Sequence, residues 1–312
     1  MMLDPYLLTR LNQKKGQLDL LRPLPEGLVR RLNKQLVVEW IYNSNAIEGN
    51  RLTLRETRLI LERGLSIGGK TLHEHLEVIN HEKAIEYLHT LIAHDIPLTA
   101  FHVRQIHDLL LQKIDDENAG EYRKLSVRIT GASHTPPDSS EVARLMKKWG
   151  DWLNGVAATL HPVERAALAH HRLMAIHPFL NGNGPTARLV MNFLLMREGY
   201  PPTVIMKVNR GQYYRVLAQT DRGHNSPLVN FVGRAIERSL TLYLEAPHTQ
   251  RPSGEEEEIL LREAEKYVPY SQQYLSLLAR AGRLEAVKRG GKWYTTRKAL
   301  NQYRQSVNKS EV

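Results

Sequence analysis

The sequence predicts a mainly α-helical protein with one small β-hairpin, followed by a separate small C-terminal module. Three observations carry this. Apolar residues recur at helical spacing through roughly the first 245 residues. Only Leu125 to Thr130 alternates like a strand, with Leu125, Val127 and Ile129 between polar residues. A break at residues 246–258, where Pro247, Pro252, Ser253 and Gly254 lead into the run Glu255 to Glu258, reads as a linker. The predicted organisation is an N-terminal helical region over 1–95, a core over 96–245, a linker over 246–258 and a module over 259–312.

The elements follow in order. Residues 27–47 form the first expected helix, with Leu28, Leu32, Leu36, Trp40 and Ile47 on its apolar positions. The next, 53–63, opens on Thr53 with Glu56 three residues on, a capping-box pattern. Further helices are expected near 72–94, 99–113, 139–154, 162–176, 186–198, 210–220 and 226–244. Between them the strand at 125–130 turns at Gly131, and Pro136-Pro137 stop any ladder.

The chain has 312 residues, a net charge of +10 and no cysteine. That length buries a sizeable core. The missing cysteines exclude disulfides, thiolate metal sites and a cysteine nucleophile, and fit a reducing compartment. The start, MMLDPYLLTRLNQKK, lacks the basic and apolar regions of a signal peptide, and no apolar run reaches membrane-spanning length. The expectation is a cytoplasmic protein without membrane partners. The basic balance hints at polyanions without naming one.

The stretch His177-Pro178-Phe179-Leu180-Asn181-Gly182-Asn183-Gly184-Pro185-Thr186-Ala187-Arg188 lies between two apolar helices. Its glycines and asparagines allow a backbone whose amides point into one concave space, and such a nest at a helix N-terminus binds anions. Pro185 suits a first helical residue. Arg188, one turn in, leans back toward the same anion. His177 can take a proton from an attacking hydroxyl, and the Asn181 amide oxygen can ligate Mg²⁺. Singly, each residue also reads as part of an ordinary turn. Together they suit nucleotidyl or phosphoryl transfer.

This stretch resembles the Fic motif, H-P-F-x-[D/E]-G-N-G-R-x-x-R, keeping His177, Pro178, Phe179, Gly182, Asn183, Gly184 and Arg188. The resemblance runs from about residue 40 to 240. Leu160 to Glu164 and the REGYPP segment from Arg197 to Pro202 are similar, in the same order, to animal Fic AMPylases of the endoplasmic reticulum. It implies a Fic-fold helical core and transfer of AMP from ATP, with Mg (or Mn), onto a Ser, Thr or Tyr hydroxyl of a protein. By resemblance His177 is the general base. Asn183 and the Gly182 and Gly184 amides hold the α- and β-phosphates, and Arg188 meets the γ-phosphate. Tyr213 or Tyr214, with Asp221, lies near the adenine. The hairpin at 125–136 is the flap that holds a target segment as an added strand. Two positions depart from the family: Asn181 replaces an acid, which weakens metal binding, and Pro185 replaces an arginine, removing a cation and a backbone N–H.

Ser44 to Asn50 (SNAIEGN) places Ser44 and Glu48 on one helix face, with Gly49 suited to a left-handed helix end. The segment resembles the Fic inhibitory motif [S/T]-x-x-x-E-[G/N]. That implies Glu48 pairs with Arg188 in the γ-phosphate's place, and also that Glu48 serves in removing AMP. Fic proteins often pair, so a homodimer belongs to the same expectation.

In the tail, Tyr270-Ser271 open a helix holding Tyr274, Leu275, Leu277 and Leu278, and Gly282 ends it. Leu284 to Lys288 and Lys292 to Tyr294 read as two strands joined by Arg289-Gly290-Gly291, and a helix from about Thr296 to Gln305 closes the unit. The order resembles a small winged helix-turn-helix of the MerR or excisionase type. DNA binding through Lys288, Arg289 and Lys292 and a docking role both stay open. The alternative to an enzyme is a nucleotide-sensing DNA-binding regulator with a degenerate Fic core. A histidine-ligated hydrolase has little support, since His170 and His171 are adjacent and no HExxH occurs.

Overall fold

The computed structural model describes residues 2–129, 134–246 and 258–308. The chain divides into two compact units, Met1–Leu244 and Glu245–Val312.

The first unit is helical among its described residues: α1 (Pro5–Leu20), α2 (Glu26–Glu48), α3 (Leu54–Arg63), α4 (Leu72–Ala93), α5 (Ala100–Leu111), α6 (Val142–Asn154), α7 (Pro162–Ile176), α8 (Asn183–Arg197), α9 (Arg210–Asp221) and α10 (Ser226–Glu245). Nine of these match the expected helices within a few residues. The exception is α1, which went unread although Asp4 caps it through the Leu7 amide and Pro5 is its first residue. Its buried face is only Leu7, Leu11 and Leu18, too sparse a pattern among lysines and glutamines to register as periodic.

Helix α8 is the centre. Its residues from Thr186 to Leu195 are buried on every side, and α2, α4, α5 and α7 all pack on it. A helix buried all round has no solvent face to show, so a ligand can meet it only at an end. The expected start at residue 186 is corrected: α8 begins at Asn183 behind the left-handed Gly182, φ +69°. Pro185 is therefore the third helical residue, still within the first turn where an absent N–H costs nothing.

The capping box at Thr53 forms: Glu56 N donates to Thr53 Oγ1 at 3.2 Å and Thr53 N to Glu56 Oε2 at 2.7 Å. Thr71 and Glu74 build a second one. Gly49 closes α2 at φ +111°, the left-handed ending that its sequence position predicts.

The hairpin expected at 125–136 is corrected in part. Residues 125–129 and 134–136 form no strand, and residues 130–133, which include the turn at Gly131, lie outside the described residues. The ladder lacks support here because Pro136 and Pro137 remove two donors.

The second unit contains β1 (Glu258–Leu260), a short α11 (Leu261–Ala264), α12 (Gln272–Arg280), β2 (Ala286–Arg289), β3 (Lys292–Thr296) and α13 (Arg297–Asn308). Its antiparallel sheet has the order β1-β3-β2, with Ile259 opposite Thr295 and Val287 opposite Tyr294. Gly290 and Gly291 turn the ribbon with φ of +56° and +78°, values that a side chain rarely tolerates at consecutive positions. Strand β1 was not expected. The helix, ribbon and closing helix lie where the sequence placed them, around Leu261, Leu275, Leu278, Leu284 and Leu300.

Candidate active site

The site begins where α7 ends. His177 is its last cap, at φ 49° and ψ 61°, a left-handed conformation uncommon for a residue with a side chain. Its N–H still bonds Leu173 O at 2.9 Å. Its Nδ1 faces Met174 O at 3.4 Å, and Nε2 has no hydrogen-bond partner among the described residues. Burial lowers the His177 pKa, with Arg123 and His134 acting in the same direction against Met174 O and Glu48. A neutral imidazole with a free ring nitrogen is what a general base requires.

Phe179 then turns the chain inward. It is fully buried and stacks on His107, ring centroids 3.7 Å apart and planes within 3°. The Asn183 side chain bonds both backbone groups of Phe179, accepting from its N at 3.0 Å and donating to its O at 2.8 Å. The Asn183 side chain thus folds the loop, and the backbone N–H groups of Asn183 and Gly184 remain as orphan donors of the α8 first turn. His107 accepts from Gly120 N at Nδ1, 3.0 Å, so its Nε2–H donates to Asn181 O, 3.0 Å. Burial holds the His107 pKa down at about 4, which keeps the ring neutral. Gly182 must be a glycine: besides its positive φ, a Cβ would lie 3.1 Å from His107 Nε2.

Arg188 carries the charge of the site. Its Nε donates to Ser44 Oγ at 3.0 Å, and its Nη2 to Ser44 O at 3.0 Å and Glu48 Oε1 at 2.8 Å. Its side chain is 3 % exposed against 36 % for Glu48. Burial opposes its charge, and Glu48 and Tyr213 together more than offset this, leaving its pKa raised. Arg188 Nη1 is buried with no hydrogen-bond partner. A Cβ added to Gly184 would lie 3.0 Å from that nitrogen and would collide with the Glu48 carboxylate. The carboxylate therefore rests on the N-terminus of α8, where an anion belongs.

These groups surround a cavity of about 920 Å³, lined among others by Glu48, His177, Asn181, Gly182, Asn183, Gly184, Tyr214 and Asp221. That is ample for a nucleotide. Ser44 and Arg188 stand behind its wall. Tyr213 is corrected: it is wholly buried, its hydroxyl on His170 Nε2 at 2.7 Å, and only Tyr214 reaches the cavity. Successive helical residues point about 100° apart, so one of the pair had to face the core. Asp221 pairs with His171 Nε2 at 2.8 Å on the cavity wall.

Four residues of the site escaped the sequence reading: His107, Arg123, His134 and Arg210. Arg123 Nε donates to His177 O at 2.8 Å, and His134 Nε2 to Ala175 O at 2.8 Å. Arg210 Nε donates to Ile47 O at 2.8 Å while its guanidinium covers the Tyr214 ring at 4.8 Å. Their bonds to Asn181, His177, Ala175 and Ile47 each span 41 or more residues of chain, a separation that no local pattern marks. Among the described residues no group of three or more His, Asp or Glu could hold a metal ion. Asn181 lines the cavity with a neutral side-chain amide.

The site thus joins a helix N-terminus with orphan amides, an imidazole beside it and an arginine held by an internal carboxylate. Residues 97–195 match the Fic/DOC family. The chain is 40 % identical over 243 residues to the protein adenylyltransferase Fic of Drosophila yakuba, a match covering 78 % of this chain and 48 % of that protein. It thus spans about half the length of the curated relatives it matches. Among solved structures, Fic-1 from C. elegans superposes with a TM-score of 0.71 at 34 % identity, over 79 % of this chain and 74 % of that one. A Fic domain containing signaling protein from Bacteroides thetaiotaomicron gives 0.72 at 32 % identity, over 78 % and 99 %. The chain belongs to the Fic/DOC family. No helix among the described residues is long and apolar enough to cross a membrane.

Proposed function

We propose that this chain is a protein adenylyltransferase, moving AMP from a metal–ATP substrate to a Ser, Thr or Tyr hydroxyl, and that Glu48 holds it back. The observation that carries the reading is the Glu48–Arg188 pair at 2.8 Å over the N-terminus of α8, beside His177. In the reaction, His177 Nε2 takes the proton as the target oxygen attacks the α-phosphorus. The bond from that phosphorus to the bridging oxygen breaks, and pyrophosphate leaves. The Asn183 and Gly184 amides and Arg188 neutralise the phosphate charge that builds up. While Glu48 occupies Arg188, the polyphosphate cannot lie against it, and the α-phosphorus is out of line. Tyr214 and Asp221 line the adenine end, and residues 125–129 and 134–136 flank the place of the target hydroxyl. The same carboxylate, released from Arg188, is placed to activate a water for AMP removal.

The test is transfer of label from α-labelled ATP, with γ-labelled ATP as control. Replacing Glu48 by Gly should raise self-labelling about tenfold or more, from the α label alone, and replacing His177 by Ala should abolish it. ATP binding without transfer in both the parent and Glu48→Gly would sink the enzymatic reading.

A regulator reading rests on a different observation. Residues 258–308 carry ten Lys and Arg against four Glu, and Lys288 and Lys292 are exposed on the ribbon, Lys288 with its ammonium 5.9 Å from the Trp293 ring centre. DNA retained by a transfer-dead Glu48→Gly protein would favour that reading.

A further inference from the structure

Arg123 is 4 % exposed, and no carboxylate forms an ion pair with it among the described residues. Burial lowers its pKa, and Asp138 opposes this from a distance. Its partners are backbone carbonyls: Nε to His177 O at 2.8 Å, Nη1 to Leu125 O at 2.9 Å and Nη2 to Pro137 O at 2.5 Å. Its own N–H bonds Pro178 O at 2.9 Å. One planar guanidinium thus grips the catalytic histidine's peptide and both ends of the segment 125–137.

We propose that Arg123 is a positioning residue that fixes the distance and direction between the His177 imidazole and the segment that presents the target hydroxyl. Left-handed φ at a histidine is strained and persists only where the surroundings over-determine it. Leu173 O fixes the N–H side of His177, and Arg123 fixes the C=O side. The remainder of the loop is held by other groups, His107 at Asn181 O and Asn183 at Phe179. Loss of Arg123 should therefore move the base and leave the anion cradle. Lysine keeps the charge but cannot direct three bonds in one plane.

The inference rests on the adenylyltransferase reading, and its test separates the two. In the Glu48→Gly protein, Arg123→Lys and Arg123→Gln should lower the transfer rate at saturating ATP by about tenfold or more. ATP affinity by calorimetry should stay within about threefold. The His177 imidazole titration, followed by NMR on histidine-labelled protein, should move up toward the ordinary value as the ring leaves its half-buried place between Arg123, His134 and Glu48. That titration reads Arg123 even if the Glu48→Gly parent transfers nothing, an outcome that would count against the enzymatic reading alone. ATP affinity falling in step with rate, an unmoved His177 titration, or loss of the fold in both variants would each overturn the proposal, since Arg123 would then act on the whole unit or on nothing.

Discussion

In the proposed reaction Glu48 and a terminal phosphate make the same demand on Arg188: a buried guanidinium can satisfy one anion at that place. The geometry at Gly184 extends this. A methyl group there would fill the space of the Glu48 carboxylate and crowd Arg188 Nη1, so Gly184→Ala should weaken ATP binding about tenfold or more even in the Glu48→Gly background, measured by calorimetry. The pH dependence follows from His177. Its folded pKa is depressed from 6.5, so at neutral pH the ring is already the proton acceptor. Transfer by the Glu48→Gly protein should be flat above pH 7 and fall as pH drops through that lowered value; a loss centred above 6.5 would remove burial as the controlling factor. Asn181→Asp supplies a carboxylate to the cation of the substrate and should lower the Mg²⁺ concentration for half-maximal transfer several-fold. The loop between α7 and α8 was legible because twelve consecutive positions carry its pattern. The packing of some side chains was not: the Asn183 side chain folds back on Phe179, and Tyr213 turns its hydroxyl to His170, a partner 43 residues away.

At the scale of elements, the site is the junction of α7 and α8, and its precision comes from helices that cannot move independently. Helix α8 is enclosed by four neighbours, while α2 brings Ser44 and Glu48 to it from about 140 residues away in sequence. Periodicity located these helices because each has a contiguous apolar face, and the Thr53 cap marked one start to the residue. Thr53→Ala should cost about 1 kcal/mol in thermal or denaturant unfolding and leave transfer unchanged; a change in rate would mean that α3 acts on the site. The segment 125–129 resisted the same reading. Its alternation is real, with Leu125 67 % exposed, but no neighbouring strand pairs with it among the described residues. Alternation reports two faces and says nothing of whether a partner exists.

At the scale of the molecule, two units are encoded by two kinds of signal. The first is a helical core whose proposed chemistry lies at the N-terminus of α8, on the cavity wall. The second is a small sheet and helices with a basic ribbon, read from the Gly290-Gly291 turn and the strands flanking it. If the ribbon meets nucleic-acid phosphates, Lys288→Glu with Lys292→Glu should weaken DNA retention and reduce the salt slope by about 1 per lysine, with AMP transfer unaltered. An unchanged slope would leave the ribbon to protein contacts. The most direct measurement of the whole scheme is a crystal structure of the Glu48→Gly protein with a non-hydrolysable ATP analogue and Mg²⁺. The polyphosphate should lie on the Asn183 and Gly184 amides with its terminal group on Arg188, and the α-phosphorus should face the His177 side of the cavity with its leaving oxygen pointing away. A nucleotide bound elsewhere, or Arg188 still turned to Ser44 with no phosphate against it, would contradict it.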